Sequence, residues 1–250
     1  MTDLELITLN EMGFIPGPAE SLLQFEERVA KIGKTMTAAN TMPRALFDWA
    51  RSRLSDLFGF EPQSLPVFYS NKNLSIWQGA ACWIDEGAVP ILQLRNGFMK
   101  GTYLKIYSRE EVLAHEAVHA ARAAFNEEEN EEFFAYASSN LKWRSVLGPI
   151  IRKPWEPWIA LGLFAGGIFS AWAYLPLAMW LGAGFFRLCR QHLRLSRASS
   201  VLFEQLKDKK NVRALLFRLT DKEIYDLSRG IWPQPDATLR WRLIQLAYRV

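Results

Sequence analysis

The sequence predicts an α+β fold: helices at both ends, a small and mostly antiparallel sheet between them, and an apolar helical hairpin ahead of the last helices. Three observations carry this expectation. Residues 65–107 hold short runs rich in β-branched and aromatic residues, separated by turn residues. The flanking stretches repeat apolar residues at helical spacing. The run from Pro157 to Phe186 contains no charged residue.

Composition bounds the rest. A chain of 250 residues, 50% hydrophobic and 13% aromatic, can bury a sizeable core and is not a disordered segment. The net charge of +4 comes from scattered Lys and Arg, so no nucleic-acid partner is expected. Cys82 and Cys189 lie far apart and form no CxxC pair, which fits a reducing compartment. Asp3 and Glu5 near the start, with no long apolar run behind them, predict no cleaved signal peptide.

Residues 1–60 read as N-terminal helices. Leu22, Leu23, Phe25, Val29 and Ile32 follow Pro18-Ala-Glu20, and Leu46, Phe47, Ala50, Leu54 and Leu57 share one side of a stretch from Arg44 to Phe58. Residues 61–150 form the expected core. Its strands are Val67 to Tyr69, Ile76 to Ile84, Val89 to Leu94 and Tyr103 to Tyr107, with turns at Asp85-Glu-Gly and Asn96-Gly. Ser108-Arg-Glu-Glu111 is a capping box: the Ser108 hydroxyl accepts from the Glu111 amide and Glu111 reaches back. A second helix is expected from Glu129 to Arg144.

Residues 154–192 read as a transmembrane helical hairpin. One continuous helix over the charge-free run would be about 45 Å long against a hydrocarbon core of about 30 Å, and Tyr174-Leu175-Pro176 offers a break. Extended to Pro154 and His192, the arms reach about 20 and about 17 residues, with Arg187 snorkelling outward. Arg152 and Lys153 on one flank, and Arg187, Arg190, Arg194 and Arg197 on the other, predict both ends on the cytoplasmic face. This makes the lipid bilayer an expected partner of a multi-pass membrane protein. Residues 197–250 return to amphipathic helices, Ala198 to Leu219, Asp221 to Arg229 and Leu239 to Val250, expected to pack on the core.

The chemistry sits at His115-Glu116-Ala-Val-His119. Residues four apart on a helix lie about 40° apart around the axis and about 6 Å along it, so two imidazoles can share one Zn²⁺. The residue after the first histidine projects beside the metal, where Glu116 can take a proton from an activated water. A third ligand should follow on a return helix. Glu132 lies level with the histidines if the turn falls between Phe125 and Asn126, where the apolar run stops. Glu131 points about 100° away, and Glu127 to Glu129 fall in or near the turn.

The pairing of His-Glu-x-x-His with a downstream Glu-x-x-Ala resembles the gluzincin class of metallopeptidases. Glu132-Phe-Phe-Ala135 is similar to the third-ligand segment of anthrax lethal factor and its relatives, and its spacing also resembles membrane-embedded CAAX-type and heat-shock-type peptidases. The resemblance covers residues 108–137. The gap from His119 to Glu132 is short for the class, Tyr136 stands where it often has a carboxylate or amide, and the third glutamate precedes the apolar run. The resemblance implies a zincin-like catalytic core with His115, His119 and Glu132 as zinc ligands and Glu116 as general base. Tyr136, one turn past Glu132, is a candidate oxyanion donor. The class binds substrate as an added strand, for which Val89 to Leu94 or Tyr103 to Tyr107 are candidate edges. The function expected is a membrane-anchored zinc metalloendopeptidase acting on a protein or peptide. The alternative is a non-catalytic membrane adaptor with a structural or vestigial metal site.

Overall fold

The computed structural model describes residues 1–38, 44–62, 65–85, 89–151, 153 and 155–249, without the side chains of 36–38 and 44–45. The turn expected at Asp85-Glu-Gly and the flanking residues Arg152 and Pro154 therefore lie outside the described residues in whole or part.

Three helices open the chain: α1 (Asp3–Glu11), α2 (Leu22–Ala38) and α3 (Asp48–Phe58), the last preceded by a 3-10 turn at Arg44–Phe47. Sequence reading did not anticipate α1. A capping box starts it: the Thr2 amide donates to Glu5 Oε2 at 2.7 Å and Thr2 Oγ1 accepts from the Glu5 amide at 3.3 Å. Gly59, at φ 68°, ends α3 in the left-handed region where a side chain is strained.

The sheet contains β1 (Val67–Tyr69), β2 (Ala80–Asp85) and β3 (Val89–Leu94) in the order β1-β3-β2. β1 runs parallel to β3 and β2 antiparallel to it. β3 therefore has a neighbour on each side, and Val89 to Leu94 offers no free edge for a substrate strand. β4 (Thr102–Tyr103) and β5 (Tyr107–Ser108) form a separate two-stranded ladder. Asn96-Gly opens a 3-10 turn at Asn96–Lys100.

Then come α4 (Arg109–Ala121), α5 (Glu131–Ala137) and α6 (Lys142–Leu147). The helix expected from Glu129 to Arg144 is broken by Ser138-Ser-Asn140, whose polar groups compete for the backbone. The Ser138 hydroxyl donates to the Ala135 carbonyl at 2.6 Å, and Arg53 from α3 gathers the carbonyls of Ala137, Ser138 and Ser139. These bonds close α5 after two turns.

The apolar run folds into α7 (Glu156–Phe169), a 3-10 turn at Ala171–Ala173, and the first part of α8 (Tyr174–Leu206). This corrects the transmembrane reading: among the described residues, no helix is long and apolar enough to cross a membrane. The chain breaks at Ser170, earlier than Tyr174-Leu-Pro176, and the turn consumes residues that the expected spans needed. α7 has 14 residues, about 21 Å against a hydrocarbon core of about 30 Å. α8 has 33 residues, but Arg187 and Arg190 enter it after about 20 Å. Pro176 sits in its first turn, where a missing N–H costs nothing. The multi-pass placement, and the cytoplasmic face inferred from it, fall with the spans.

α9 (Lys209–Arg218), α10 (Asp221–Leu227) and α11 (Leu239–Tyr248) complete the chain. The main core joins α3, β3, α4, α5 and these last helices. Phe217 of α9 stacks on Phe58 at 4.5 Å between ring centroids and meets Phe134 of α5 edge-on at 5.3 Å. A smaller cluster of Leu6, Phe25, Leu239 and Leu243 ties α1 and α2 to α11.

Candidate metal centre

α4 begins where its sequence dictates: Ser108 Oγ accepts from the Glu111 amide at 3.2 Å. Glu111 does not reach back to Ser108. Its buried carboxylate accepts from the Ser139 hydroxyl, from the Asn140 amide at 3.1 Å and from Arg144 Nη1 at 2.9 Å. The capping residue thus braces the start of α4 against the connection that follows α5.

One turn later, His115 and His119 point the same way, with their Nε2 atoms 3.3 Å apart. The other side of each ring is engaged. His119 Nδ1 lies 2.7 Å from Glu131 Oε1, and His115 hydrogen-bonds the backbone at Ala135. In the neutral ring, an Nδ1 that donates to the carboxylate leaves the lone pair on Nε2, which faces the cleft.

Glu132 of α5 completes the cluster. Its carboxylate oxygens stand 3.7 Å from His115 Nε2 and 3.6 Å from His119 Nε2. Donors 2.0–2.1 Å from a tetrahedral Zn²⁺ are about 3.3 Å apart, so separations of 3.3 to 3.7 Å fit a small divalent cation with little adjustment. His115, His119 and Glu132 can therefore hold a metal ion.

Remote elements set the position of α5. The Asp221 carboxylate of α10 accepts from the amides of Glu129 at 2.8 Å and Asn130 at 3.3 Å, and from Asn130 Nδ2 at 2.7 Å. Gln191 of α8 donates to the Asn130 side chain. The fully buried Arg122 ends α4. It donates to the carbonyls of Phe217 and Leu219 and pairs with Glu127 at 3.2 Å. The loop that delivers Glu131 and Glu132 is thus pinned by Gln191 and Asp221, 61 to 92 positions later.

The cluster lines an open cleft of about 360 Å³, bordered by Gly79 to Cys82 of β2 and the segment before it, by Tyr107, and by Tyr136. Glu116 lies on the same wall. Burial pushes its carboxyl up to about 7, with Glu132 adding and His119 opposing, while the Cys82 backbone hydrogen-bonds it. Burial alone would lower His119, but the hydrogen bond to Glu131 and the charge of Glu132 carry it up to about 9. Burial, then the neighbouring His119, hold His115 well below the usual histidine range. Tyr136 packs edge-on against His115 at 4.7 Å, and burial, followed by Glu132, raises its phenol so that it stays a donor.

The structure thus brings together His115, His119 and Glu132, and places Glu116 and Tyr136 in the same cleft. Of the two candidate edges, Val89 to Leu94 does not border the cleft and Tyr103 to Tyr107 reaches it through Tyr107, while the longer strand beside the site is β2. Sequence reasoning missed Glu131. The signal was its place beside Glu132 in the first turn of a helix, where neighbours about 100° apart can grip the near and far sides of one imidazole. No family model, curated protein or solved structure matches this chain.

Proposed function

We propose that the chain is a zinc metallopeptidase of the gluzincin kind. One observation carries this reading: three metal donors and a buried carboxylate poised near neutrality meet in one open cleft beside a strand. Structural zinc sites are usually closed by four protein ligands, whereas three ligands facing a cleft leave room for a reacting group. When bound, zinc supplies Lewis acidity that activates water and polarises a carbonyl oxygen.

The chain's own residues do the rest. His115, His119 and Glu132 would hold the ion, with Glu131 fixing the ring and tautomer of His119. Glu116 takes the proton of the attacking water. Its carboxyl at about 7 suits a base that must later return the proton to the leaving amine. The Tyr136 phenol, kept protonated by its surroundings, donates to the oxyanion. The cleft walls from Gly79 to Cys82 align an extended peptide with these groups.

Metal analysis of the purified chain tests the site. About one zinc per chain is expected, lost in His115→Ala and His119→Ala and retained in Glu116→Gln. Full zinc in both histidine variants would end the assignment.

A further inference from the structure

Among the described residues, exposed large apolar side chains are concentrated on the helical hairpin. α7 and the first half of α8 pack on each other, Phe164 against Tyr174 at 6.3 Å and Gly167 where no Cβ would clear the Tyr174 ring. Beyond that seam they bury little. At the tip, Ile168, Phe169 and Trp172 are 73%, 91% and 82% exposed. Exposed Trp158, Ile159, Leu161 and Phe164 spread around α7 instead of forming one stripe, so no single groove could cover them.

Length and charge identify the occupant. Each arm is about 21 Å or less, too short to cross a bilayer, yet matched to one leaflet with its headgroups, about 20–22 Å. The charge-free run ends abruptly at a basic collar. Arg187, Arg190, Arg194 and Arg197 recur at helical spacing over about 15 Å of α8, with Lys153 near Arg187 at the base. Arg190 and Arg197 are exposed, while Lys153, Arg187 and Arg194 pair with Glu128, Glu156 and Glu129. Exposed Trp155 lines one pocket with Lys153 and Arg187, where aromatic side chains favour the headgroup boundary, and exposed Trp158 follows three residues later. Two amides of the turn bond within the hairpin: the Ser170 amide donates to Gly166 and the Ala173 amide to Ser170, both at 3.0 Å.

We infer that the α7–α8 hairpin inserts into a single leaflet of an anionic lipid surface, with the arginine collar on the headgroups and neither helix crossing. Its base adjoins the metal cleft, since Trp158 packs on Trp77 at 4.4 Å and Trp77, Ile151 and Lys153 line the cleft wall. Insertion would hold the cleft mouth beside the headgroups.

Flotation of the full chain with phosphatidylcholine vesicles, with and without phosphatidylserine, tests this. The chain should float with the phosphatidylserine vesicles and bind the neutral ones at least tenfold more weakly. Ile168→Glu/Phe169→Glu should cut binding at least tenfold, and Arg190→Glu/Arg197→Glu should abolish the preference for phosphatidylserine, each with an unchanged circular dichroism spectrum. Trp172 fluorescence, followed as the difference from Trp172→Phe, should be quenched more by lipids brominated deep in the chain than near the headgroup. Three results would overturn the inference: a folded chain that stays off both vesicles, a dimer that forms through the hairpin and excludes lipid, or labelling of Ser170→Cys by an impermeant thiol reagent trapped inside the vesicles. These readouts do not depend on metal or proteolysis.

Discussion

Removing the Glu131 carboxylate should weaken metal binding without removing a ligand. Its Oε1 lies 2.7 Å from His119 Nδ1, and the two side chains are 19% and 15% exposed, so the bond is short and poorly hydrated. In Glu131→Ala the His119 ring loses the partner that fixes its tautomer. The form with the proton on Nε2, which cannot ligate, becomes populated, and the ring gains rotational freedom. Outer partners of this kind are worth about 10–100-fold in affinity, or about 1.4–2.7 kcal/mol. Glu132→Ala deletes a donor within 3.7 Å of both imidazoles and should cost far more. Glu128 is 82% exposed and pairs with Lys153 at 3.2 Å, so Glu128→Ala should leave affinity within about twofold. Zinc competition against a chromophoric chelator at fixed pH gives all three constants. Glu131→Ala binding zinc as tightly as the parent would refute the positioning role. A loss as deep as that of Glu132→Ala would make Glu131 a ligand.

Four further outcomes follow from the same geometry. With His119 raised to about 9, zinc must displace a proton at neutral pH, so the apparent affinity should climb up to about tenfold per unit between pH 7 and 9 and then level off, read by the same competition assay. Metal-free protein should show the opposite trend: a raised folded value means stability from this group is complete below the unfolded value of 6.5 and lost as pH rises through about 9, measurable by urea unfolding. Asp221→Ala removes three bonds at the start of α5 and should cost about 2–3 kcal/mol in unfolding while lowering zinc affinity; unchanged values for both would show that α10 does not place the site. Gly148→Ala would set a Cβ 2.2 Å from the Tyr136 ring and should cost about 1–3 kcal/mol, unless unfolding shows that the ring moves freely aside.

The legible parts of this molecule are those whose cause is local. Ser108 and Glu111 mark the start of α4 because a cap needs only residues three apart. His115 and His119 share a face because the helix repeat decides it, and Glu132 could be placed at their height by counting across the turn. What was not legible depended on distant chain. That Glu111 braces Asn140 and Arg144 instead of capping, and that Arg53 closes α5 after Ala137, are contacts between segments that no local pattern links. The pairing order β1-β3-β2 likewise hides in hydrogen bonds across the chain, so Val89 to Leu94 stood as one of two candidate edges although it lies in the middle. The hairpin was misjudged for another reason. Hydropathy counts residues, whereas crossing depends on continuous helix length, and a four-residue turn at Ser170 to Ala173 shortened both arms.

Peptide-bond cleavage by zinc-loaded parent chain, compared with zinc-loaded Glu116→Gln, tests the central claim most directly. New N-termini mapped across a whole proteome digest should appear with the parent, vanish on chelation, and fall by several orders of magnitude in the variant, since an amide keeps the shape of Glu116 but cannot accept the proton. Equal cleavage by both proteins, or none by a parent that holds its zinc through His115, His119 and Glu132, would contradict it.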